Sequence, residues 1–383
     1  MSSTVCSPHD LDEAADAMRG GGRILIRGSG TATDWGGEPS TVDTVVSTAE
    51  LSGTLAYNPA DMTVAVRAGT PLASLQSELA ERGQWIANDA ARVPTGGTVG
   101  GLLATADAGP RQHRYGPLRD LVLGVTVVLA DGRIAHSGGH VIKNVAGYDL
   151  AKLFAGSYGT LGLVAEVVLR THPISAGSRT LVVEGDARTG YRSAVALSER
   201  PVEPTAVCWA DGRLLIRFEG TDVGIEEQLR HAELTGGDVV SGPDEDALWA
   251  AEADVVNGAP GHTVVRVGAL PSRFPDLIEL VDKLVAEHGV TAGWSASFGV
   301  GVHTIALSGG DAAAHARVIA GLMGGFDDAA ITRRRRAAGV ERLVDAWGPE
   351  PPAIALLRSV KNAFDPDGRL GPGRFAPWLK GTE

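Results

Sequence analysis

The residues of this chain with the clearest chemical potential are its glycines, because many of them fall into three short stretches. The first stretch reads Arg-Gly-Ser-Gly-Thr at residues 27–31, directly after the apolar residues 24–26. Successive backbone N–H groups in such a turn form a concavity that holds an anion, and a pyrophosphate is a natural guest. The run does not match a GxGxxG dinucleotide fingerprint, because the third glycine is missing and residues 34–37 do not continue as a helix. The first stretch therefore predicts a phosphate-binding turn of another kind.

Two further stretches place glycine where a backbone must run close to something. Four of the six residues 96–101 are glycines, and the apolar residues 102–104 that follow predict that this segment turns inward. A flexible surface loop is the alternative. In the third stretch Gly156, Gly159 and Gly162 recur every third residue, between a short helical pattern at residues 150–154 and a strand-like run. Glycine permits positive φ or the close approach of a ligand. A glycine-rich hairpin without a ligand explains the spacing equally well.

The segment around the third stretch carries a family resemblance. Lys143–Leu169 reads K-N-V-A-G-Y-D-L-A-K-L-F-A-G-S-Y-G-T-L-G-L-V-A-E-V-V-L. It resembles the signature of the PCMH-type FAD-binding oxidoreductases of the vanillyl-alcohol oxidase family, which include glycolate oxidases and D-lactate dehydrogenases. The form K-N-V-A-G-Y-D is most similar to the FAD-binding E subunits of bacterial glycolate oxidases. The first two glycine stretches and the C-terminal run Leu356–Phe375 resemble other motifs of the same family, in the same order.

The resemblance implies an FAD cofactor. In relatives with covalently bound flavin a histidine often stands where Thr31 stands here, so noncovalent FAD is expected. The first stretch resembles the family's pyrophosphate loop and the second its other flavin-contacting loop. By resemblance, the cofactor contacts fall on Arg27, Gly28, Ser29, Gly30, Thr31, Pro94, Gly97, Thr98, Gly100, Gly101, Thr105, Gly159, Thr160, Gly162, Val164 and Arg374.

The family and the alternation of strand and helix patterns predict an α+β fold. Residues 1–175 are expected to form a PCMH-type FAD-binding domain of two subdomains. Residues 176–345 are expected to form an α/β cap domain of two βαβ-like halves, and residues 346–383 to return to the first domain. Ser7 and Pro8 predict the start of the first helix, and Thr70 and Pro71 predict another helix start. The run Arg333–Arg336 is interpreted as a solvated helix face, with a docking patch or a phosphate contact as alternatives.

Candidates for the catalytic step are few. Relatives that oxidise glycolate or D-lactate have a histidine-rich site, with a G-D-G-N-L-H strand followed by an E-H-G-I-G motif. Here only His303 fits the first motif, and Glu287-His288-Gly289 precedes it in the wrong order. His303 is more often a structural histidine than a general base in such a setting. Arg266 could bind a carboxylate. No histidine pair has ligand spacing near a carboxylate, so no metal is expected.

The amino-acid composition argues against several classes of function. Glycine is 51 of 383 residues, an excess that implies many tight loops, and the formal net charge of -12 argues against nonspecific nucleic-acid binding. The only two cysteines, Cys6 and Cys208, predict neither a disulfide framework nor an iron–sulfur cluster. No apolar run reaches the roughly 18 residues of a membrane span, and no signal peptide is evident. The protein is expected to be cytoplasmic. Attachment to the inner face of the membrane through partners is the alternative.

Three functions are consistent with these observations. The chain could be the FAD-binding subunit of a glycolate-oxidase-like complex, oxidising a 2-hydroxy acid (glycolate to glyoxylate) and passing electrons to a partner. It could instead be a free-standing FAD oxidoreductase with another substrate, or a non-catalytic FAD-binding scaffold subunit. Because the chain has no cysteine cluster to relay single electrons, we expect a larger FAD-binding homologous subunit and an iron–sulfur subunit as partners.

Overall fold

The structure, a computed structural model, describes residues 3–140, 148–232 and 237–379. Residues 143–147 of the signature segment lie outside the described residues. The chain divides into two compact units. The first unit comprises residues 1–108, 116–174 and 350–383, and the second comprises residues 109–115 and 175–349.

Strands and helices occur in both units, so the fold is α+β as predicted. The strands are β1 (Thr4–Cys6), β2 (Ile24–Arg27), β3 (Thr44–Ser47), β4 (Thr54–Asn58), β5 (Thr63–Arg67), β6 (Gln84–Trp85), β7 (Val122–Val128), β8 (Ile134–Gly138), β9 (Leu163–Arg170), β10 (His172–Pro173), β11 (Gly177–Glu184), β12 (Ala206–Ala210), β13 (Arg213–Gly220), β14 (Gly237–Val240), β15 (Thr263–Gly268), β16 (Thr291–Ser297), β17 (Val302–Ser308) and β18 (Ala330–Arg335). The helices are α1 (Leu11–Arg19), α2 (Leu72–Ala80), α3 (Val99–Ala104), α4 (Gln112–Tyr115), α5 (Leu118–Leu121), α6 (Ala151–Phe154), α7 (Ala187–Ser198), α8 (Asp222–Ala232), α9 (Pro243–Asn257), α10 (Phe274–His288), α11 (Ala312–Gly325) and α12 (Ile354–Phe364).

The first unit is built on two main sheets. A parallel sheet has the order β1-β3-β2, and an antiparallel sheet has the order β4-β5-β9-β7-β8. Helix α1 buries Ala14, Ala15 and Met18 in a core shared with Val128 and Leu163. Because β2 and β9 both contribute to this core, the loop after β2 and the turn before β9 are held by the same packed layer.

The C-terminal segment of the first unit joins the edge of the parallel sheet. Ile24 N donates to Arg369 O at 2.8 Å, and Gly371 N donates to Ile24 O at 2.8 Å. The Arg369 side chain also donates to the carbonyl oxygens of Gly22 and Ala130, at 2.9 and 3.0 Å. Leu370 is buried between these contacts. Residues near the end of the chain thereby reach the loop that follows β2.

The second unit contains one eight-stranded antiparallel sheet, in the order β14-β11-β13-β12-β16-β17-β15-β18. Each half of the sheet repeats the element order βαββαβ, with α7 and α8 in the first half and α10 and α11 in the second. The two halves meet where β12 pairs with β16. Helices α10 and α11 bury their apolar faces in a core around Phe274 and Ile305. The predicted βαβ-like halves are therefore present, as split units in an antiparallel sheet.

Two predicted helix starts are wrong. Helix α1 begins at Leu11, because Asp10 is its N-cap and accepts a hydrogen bond from Glu13 N at 2.9 Å. Ser7 and Pro8 precede the helix, directly after strand β1. Helix α2 begins at Leu72, and the hydroxyl of Thr70 does not cap it. That hydroxyl instead donates to Arg67 O and accepts from Gly53 N, at 2.7 and 2.8 Å.

The interpretation of Arg333–Arg336 as a solvated helix face is also wrong. Residues 333–335 belong to strand β18, which pairs with β15 and forms one edge of the second unit's sheet. Arg333 and Arg334 are buried, and Arg333 Nη1 donates to Val344 O at 2.9 Å. Arg336 lies within 3.5 Å of the Glu341 carboxylate. Two of the four arginines are thus unavailable for a docking patch.

Candidate functional site

A cleft in the first unit collects the glycine-rich stretches. It has about 770 Å³ of empty space, a volume that includes open solvent at its mouth. The cleft lies beside the C-terminal end of β2, the N-terminal end of α3 and the turn that precedes β9. It is lined by Leu25, Ile26, Arg27, Gly28, Ser29, Gly30, Thr31, Ala32, Thr33, Thr48, Ala68, Arg92, Thr98, Gly100, Gly101, Ala104, Thr105, Tyr158, Gly159, Gly162, Val164 and Arg374.

The loop after β2 presents backbone amides to the cleft. Gly30 has φ +84°, and both the amide and the hydroxyl of Thr33 donate to Gly30 O, at 3.2 and 2.7 Å. Within the described residues, the N–H groups of Ser29, Gly30 and Thr31 donate to no protein acceptor. Unpaired consecutive amides on a glycine turn are a binding site for an anion. This loop therefore has free donors for an anion, and its predicted contact with a pyrophosphate stays a prediction.

The second wall of the cleft depends on close packing that excludes side chains. A Cβ on Gly28 would lie 2.6 Å from Thr98 Oγ1, and a Cβ on Gly100 would lie 2.7 Å from the Cβ of Ala68. Thr98 caps α3, because its hydroxyl oxygen accepts from Gly101 N at 3.1 Å. The glycines at these positions thus bring the loop after β2, the end of β5 and the start of α3 into direct contact.

The third wall is the turn between α6 and β9. Gly156 N donates to Leu103 O at 3.1 Å and Tyr158 N donates to Ala104 O at 2.8 Å, so the turn is attached to the end of α3. Gly159 has φ +73°, and a Cβ there would lie 3.3 Å from the Cβ of Ile26. Glycine is therefore required for the backbone of this turn to pass close to β2.

Arg92 is a cleft residue that the sequence did not indicate. Its guanidinium is buried and lies 4.1 Å from the ring centroid of Trp35. Its Nε donates to Asp107 Oδ2 at 2.9 Å, its Nη2 to Thr105 Oγ1 at 2.8 Å, and its Nη1 to Thr31 Oγ1 at 3.0 Å. One side chain thus connects the loop after β2 to the residue that follows α3.

Arg374 holds the far end of the same loop. Its Nη1 donates to Thr33 O at 2.8 Å and to Trp35 O at 2.9 Å. Arg374 also lines the cleft. Its visible hydrogen bonds shape the loop, so its predicted contact with the cofactor stays a prediction.

The structure brings together 13 of the 16 predicted contact residues, because Pro94, Gly97 and Thr160 are the ones that do not line the cleft. Gly97 instead packs on the backbone of Arg92, where a Cβ would lie 3.0 Å from Arg92 O. The hydroxyl of Thr160 donates to Ser157 O at 2.7 Å, and its carbonyl accepts from Lys361 Nζ at 2.8 Å. Direct contact of the other 13 with a cofactor stays a prediction.

The weak catalytic candidates lie in the second unit. His303 is fully buried, and its ring centroid lies 5.1 Å from that of Phe274 and 6.5 Å from that of Phe298. Burial lowers the pKa of His303 to about 4. Neither ring nitrogen has a hydrogen-bond partner in the described part of the chain. This is the position of a core residue, which a substrate cannot reach. Arg266 lies in β15, opposite Thr304 on one neighbouring strand and Thr332 on the other.

The cleft fits FAD by its own chemistry. It combines unpaired amides for a pyrophosphate, a buried guanidinium and close glycine walls. Among residues 3–140, 148–232 and 237–379, no group of three or more His, Cys, Asp and Glu side chains could hold a metal ion. No helix in these ranges is long and apolar enough to cross a membrane.

Comparison with known proteins finds two family models that match parts of this chain. Residues 3–138 match the FAD binding domain, and residues 345–375 match the C-terminal domain of FAD linked oxidases. The chain is similar to the FAD-linked oxidoreductases in both regions. It therefore binds FAD, as the motifs predicted, and the first of the two matched regions contains Arg27, Thr98 and the other residues of the first two glycine stretches.

Three similar curated relatives have names that state a function. The glycolate oxidase subunit GlcE of Escherichia coli (strain K12) is 29% identical over 325 residues, 84% of this chain and 84% of the relative. A D-lactate dehydrogenase of Archaeoglobus fulgidus is 26% identical over 92% of this chain and 85% of the relative. The glycolate oxidase subunit GlcD of Bacillus subtilis (strain 168) is 32% identical, over 47% of this chain and 36% of the relative.

A solved structure of alkyldihydroxyacetonephosphate synthase superposes with a TM-score of 0.69 at 18% identity, covering 96% of this chain and 76% of that one. At this identity the likeness concerns the fold alone, which is that of the FAD-linked oxidases.

Proposed function

We propose that this protein is the FAD-binding subunit of a complex that oxidises a small 2-hydroxy acid, such as glycolate to glyoxylate. The observation that carries the proposal is the cleft of unpaired amides and close-packed glycines in a chain that matches a glycolate oxidase subunit over most of both lengths. Oxidation of a 2-hydroxy acid to a 2-oxo acid releases two electrons and two protons. Bound FAD supplies the two-electron acceptor for such an oxidation.

The residues of the chain have separate tasks in this proposal. The amides of residues 29–31 bind the pyrophosphate, and Thr98 fixes the start of α3 beside it. Arg374 keeps the loop after β2 in shape through the carbonyls of Thr33 and Trp35. Each of these contacts is a hydrogen bond and not a covalent link to the flavin. The Thr31 hydroxyl already accepts a hydrogen bond from Arg92. We therefore propose noncovalent FAD.

Partners are part of the proposal. Two relatives carry the names of different subunits of glycolate oxidase. The sequence has only two cysteines, and Cys208 is buried, so this chain offers no thiolate set for an iron–sulfur relay. We propose a larger FAD-binding homologous subunit and an iron–sulfur subunit as partners, the latter to accept the electrons one at a time.

A second candidate function is a non-catalytic FAD subunit whose substrate is oxidised in a sister subunit. The position of His303 favours it, because that histidine lies in the core of the second unit and cannot exchange a proton with a substrate. Arg266 alone would bind a carboxylate without supplying a base.

The test is glycolate-dependent reduction of an electron-accepting dye, measured with the isolated FAD-loaded chain and with material co-purified from native extract. Activity only in the co-purified material supports the subunit function. Activity of the isolated monomer at a rate typical of enzymes would contradict the need for partners. An FAD-loaded complex that oxidises neither glycolate nor D-lactate would contradict the proposed substrate class.

A further inference from the structure

We propose that Arg92 binds the pyrophosphate of FAD directly, beside the amides of residues 29–31. The inference rests on the proposed placement of FAD in the cleft and adds a residue to that site. The pattern of glycine stretches gave no indication of Arg92, because its partners Thr31, Thr105 and Asp107 are distant from it in sequence or belong to other elements.

The described residues provide acceptors for only some of the N–H groups of the Arg92 guanidinium. A guanidinium carries five N–H groups in a fixed fork. Three of them are used, by Asp107, Thr105 and Thr31, at distances between 2.8 and 3.0 Å. The other two, one on each terminal nitrogen, have no acceptor among the described residues. The residue is only 5% exposed, and a buried donor without a partner is costly. An acceptor in the cleft would remove that cost.

The position of Arg92 indicates which acceptor this is. The Thr31 amide is one of the three unpaired amides of the anion-binding loop, and the Thr31 hydroxyl accepts from Arg92 Nη1. The guanidinium and the amides therefore border the same part of the cleft. A planar fork with two free N–H groups suits a phosphate, which accepts two parallel hydrogen bonds. The Asp107 carboxylate balances the charge of Arg92 in the empty cleft, and its Oδ2 fixes the fork through Nε.

A purely structural role for Arg92 makes a different prediction from this one. If Arg92 only holds the loop after β2, Thr31→Val, which removes the bond between the two side chains, would weaken FAD as much as the loss of Arg92 itself. If Arg92 contacts the pyrophosphate, its loss would weaken FAD much more than Thr31→Val does, and would spare riboflavin, which has the same ring system and no phosphate. The comparison of these variants therefore separates the roles without any measurement of turnover.

The experiment measures the dissociation constants of FAD and riboflavin for the cofactor-free full-length protein by flavin fluorescence. The main variant is the double change Arg92→Gln with Asp107→Asn, which removes both buried charges and leaves neither unpaired. Arg92→Lys is the second variant, because it keeps a charge beside Asp107 but lacks the planar fork. Arg19→Gln is the matched control, since Arg19 is exposed and pairs with Asp16 on α1, outside the cleft.

We expect the double variant to bind FAD about tenfold to a hundredfold more weakly, the range for hydrogen bonds to charged groups. Riboflavin binding should change by less than about twofold, and Arg92→Lys should show a smaller loss confined to FAD. Equal losses for both ligands, unchanged FAD binding, or an equal loss of FAD binding in Thr31→Val and the double variant would overturn the inference. If the double variant does not fold, Arg92→Lys is compared with Thr31→Val in the same way. A wild-type protein that binds no FAD would instead refute the proposed function.

Discussion

Replacing His303 by leucine should remove a large part of the pH dependence of stability in the second unit. Both ring nitrogens of His303 are buried, and neither has a hydrogen-bond partner in the ranges that the structure describes. The rings of Phe274 and Phe298 lie beside the imidazole, with centroids at 5.1 and 6.5 Å. The charged imidazolium therefore loses its hydration on folding and gains no compensating partner.

The magnitude follows from the difference between the two pKa values. Burial lowers the pKa of His303 from 6.5 to about 4 in the folded protein. Between these values the unfolded chain binds a proton that the folded chain does not, so stability is complete above about pH 6.5 and is lost as the pH falls toward 4. The corresponding loss is about 2 kcal/mol at pH 5 and about 3 kcal/mol at pH 4.

The assay is urea unfolding at pH 7, 6 and 5, followed by tryptophan fluorescence. Trp209, Trp249 and Trp294 are buried in the second unit and report its unfolding. His303→Leu should lose about 2 kcal/mol less than wild type between pH 7 and pH 5. His231→Leu is the matched control, because His231 is exposed on α8 and should follow wild type. Equal pH dependence in wild type and His303→Leu would refute the reasoning.

Three further predictions concern other residues. Gly30→Val should weaken FAD binding about tenfold, because valine rarely adopts φ +84°; full flavin content after purification would contradict this. Lys361→Met should lower the free energy of unfolding of the first unit by about 2 kcal/mol, since the buried ammonium donates to Thr160 O at 2.8 Å; exposed Lys283→Met is the control in thermal melts. Glu245→Gln should destabilise the second unit by about 3 kcal/mol in urea, because it leaves the buried Arg217 guanidinium without its carboxylate partner, 2.9 Å away; an unchanged midpoint would contradict it.

The sequence predicted the cleft better than it predicted the rest of the fold, and the reason lies in what glycine does. Gly30 and Gly159 take positive φ, and Gly28 and Gly100 sit where a Cβ would collide with a neighbour. Each of these backbone requirements applies to one position, so the sequence shows it as a glycine at that position. The cofactor and the α+β fold followed from them and from the resemblance. The domain bounds drawn from the sequence stay a prediction.

Hydrophobic periodicity does not predict a helix whose buried positions carry charge. Helix α9 was not predicted, because its buried face consists of Glu245, Trp249 and Glu252 rather than of apolar residues. Glu245 accepts from Ser178, Thr180 and Arg217, and Glu252 accepts from Ser295. The partners of both carboxylates lie on strands of the sheet, more than 25 residues away in sequence. A pattern search that places charge at the surface cannot find such a face.

The same reason explains why Arg92 was not predicted and why Arg333 was wrongly placed on a solvated face, and it has a consequence for function. A buried charge is retained only where it is paired, because an unpaired one costs several kcal/mol. Arg333 donates to a backbone carbonyl within its own unit, and Glu245 has three protein donors, and neither residue lines the cleft. Arg92 differs, because it lines the cleft and has two N–H groups for which no described residue is an acceptor. Of these three buried charges, Arg92 is therefore the one to which an anionic ligand in the cleft would supply the remaining acceptors.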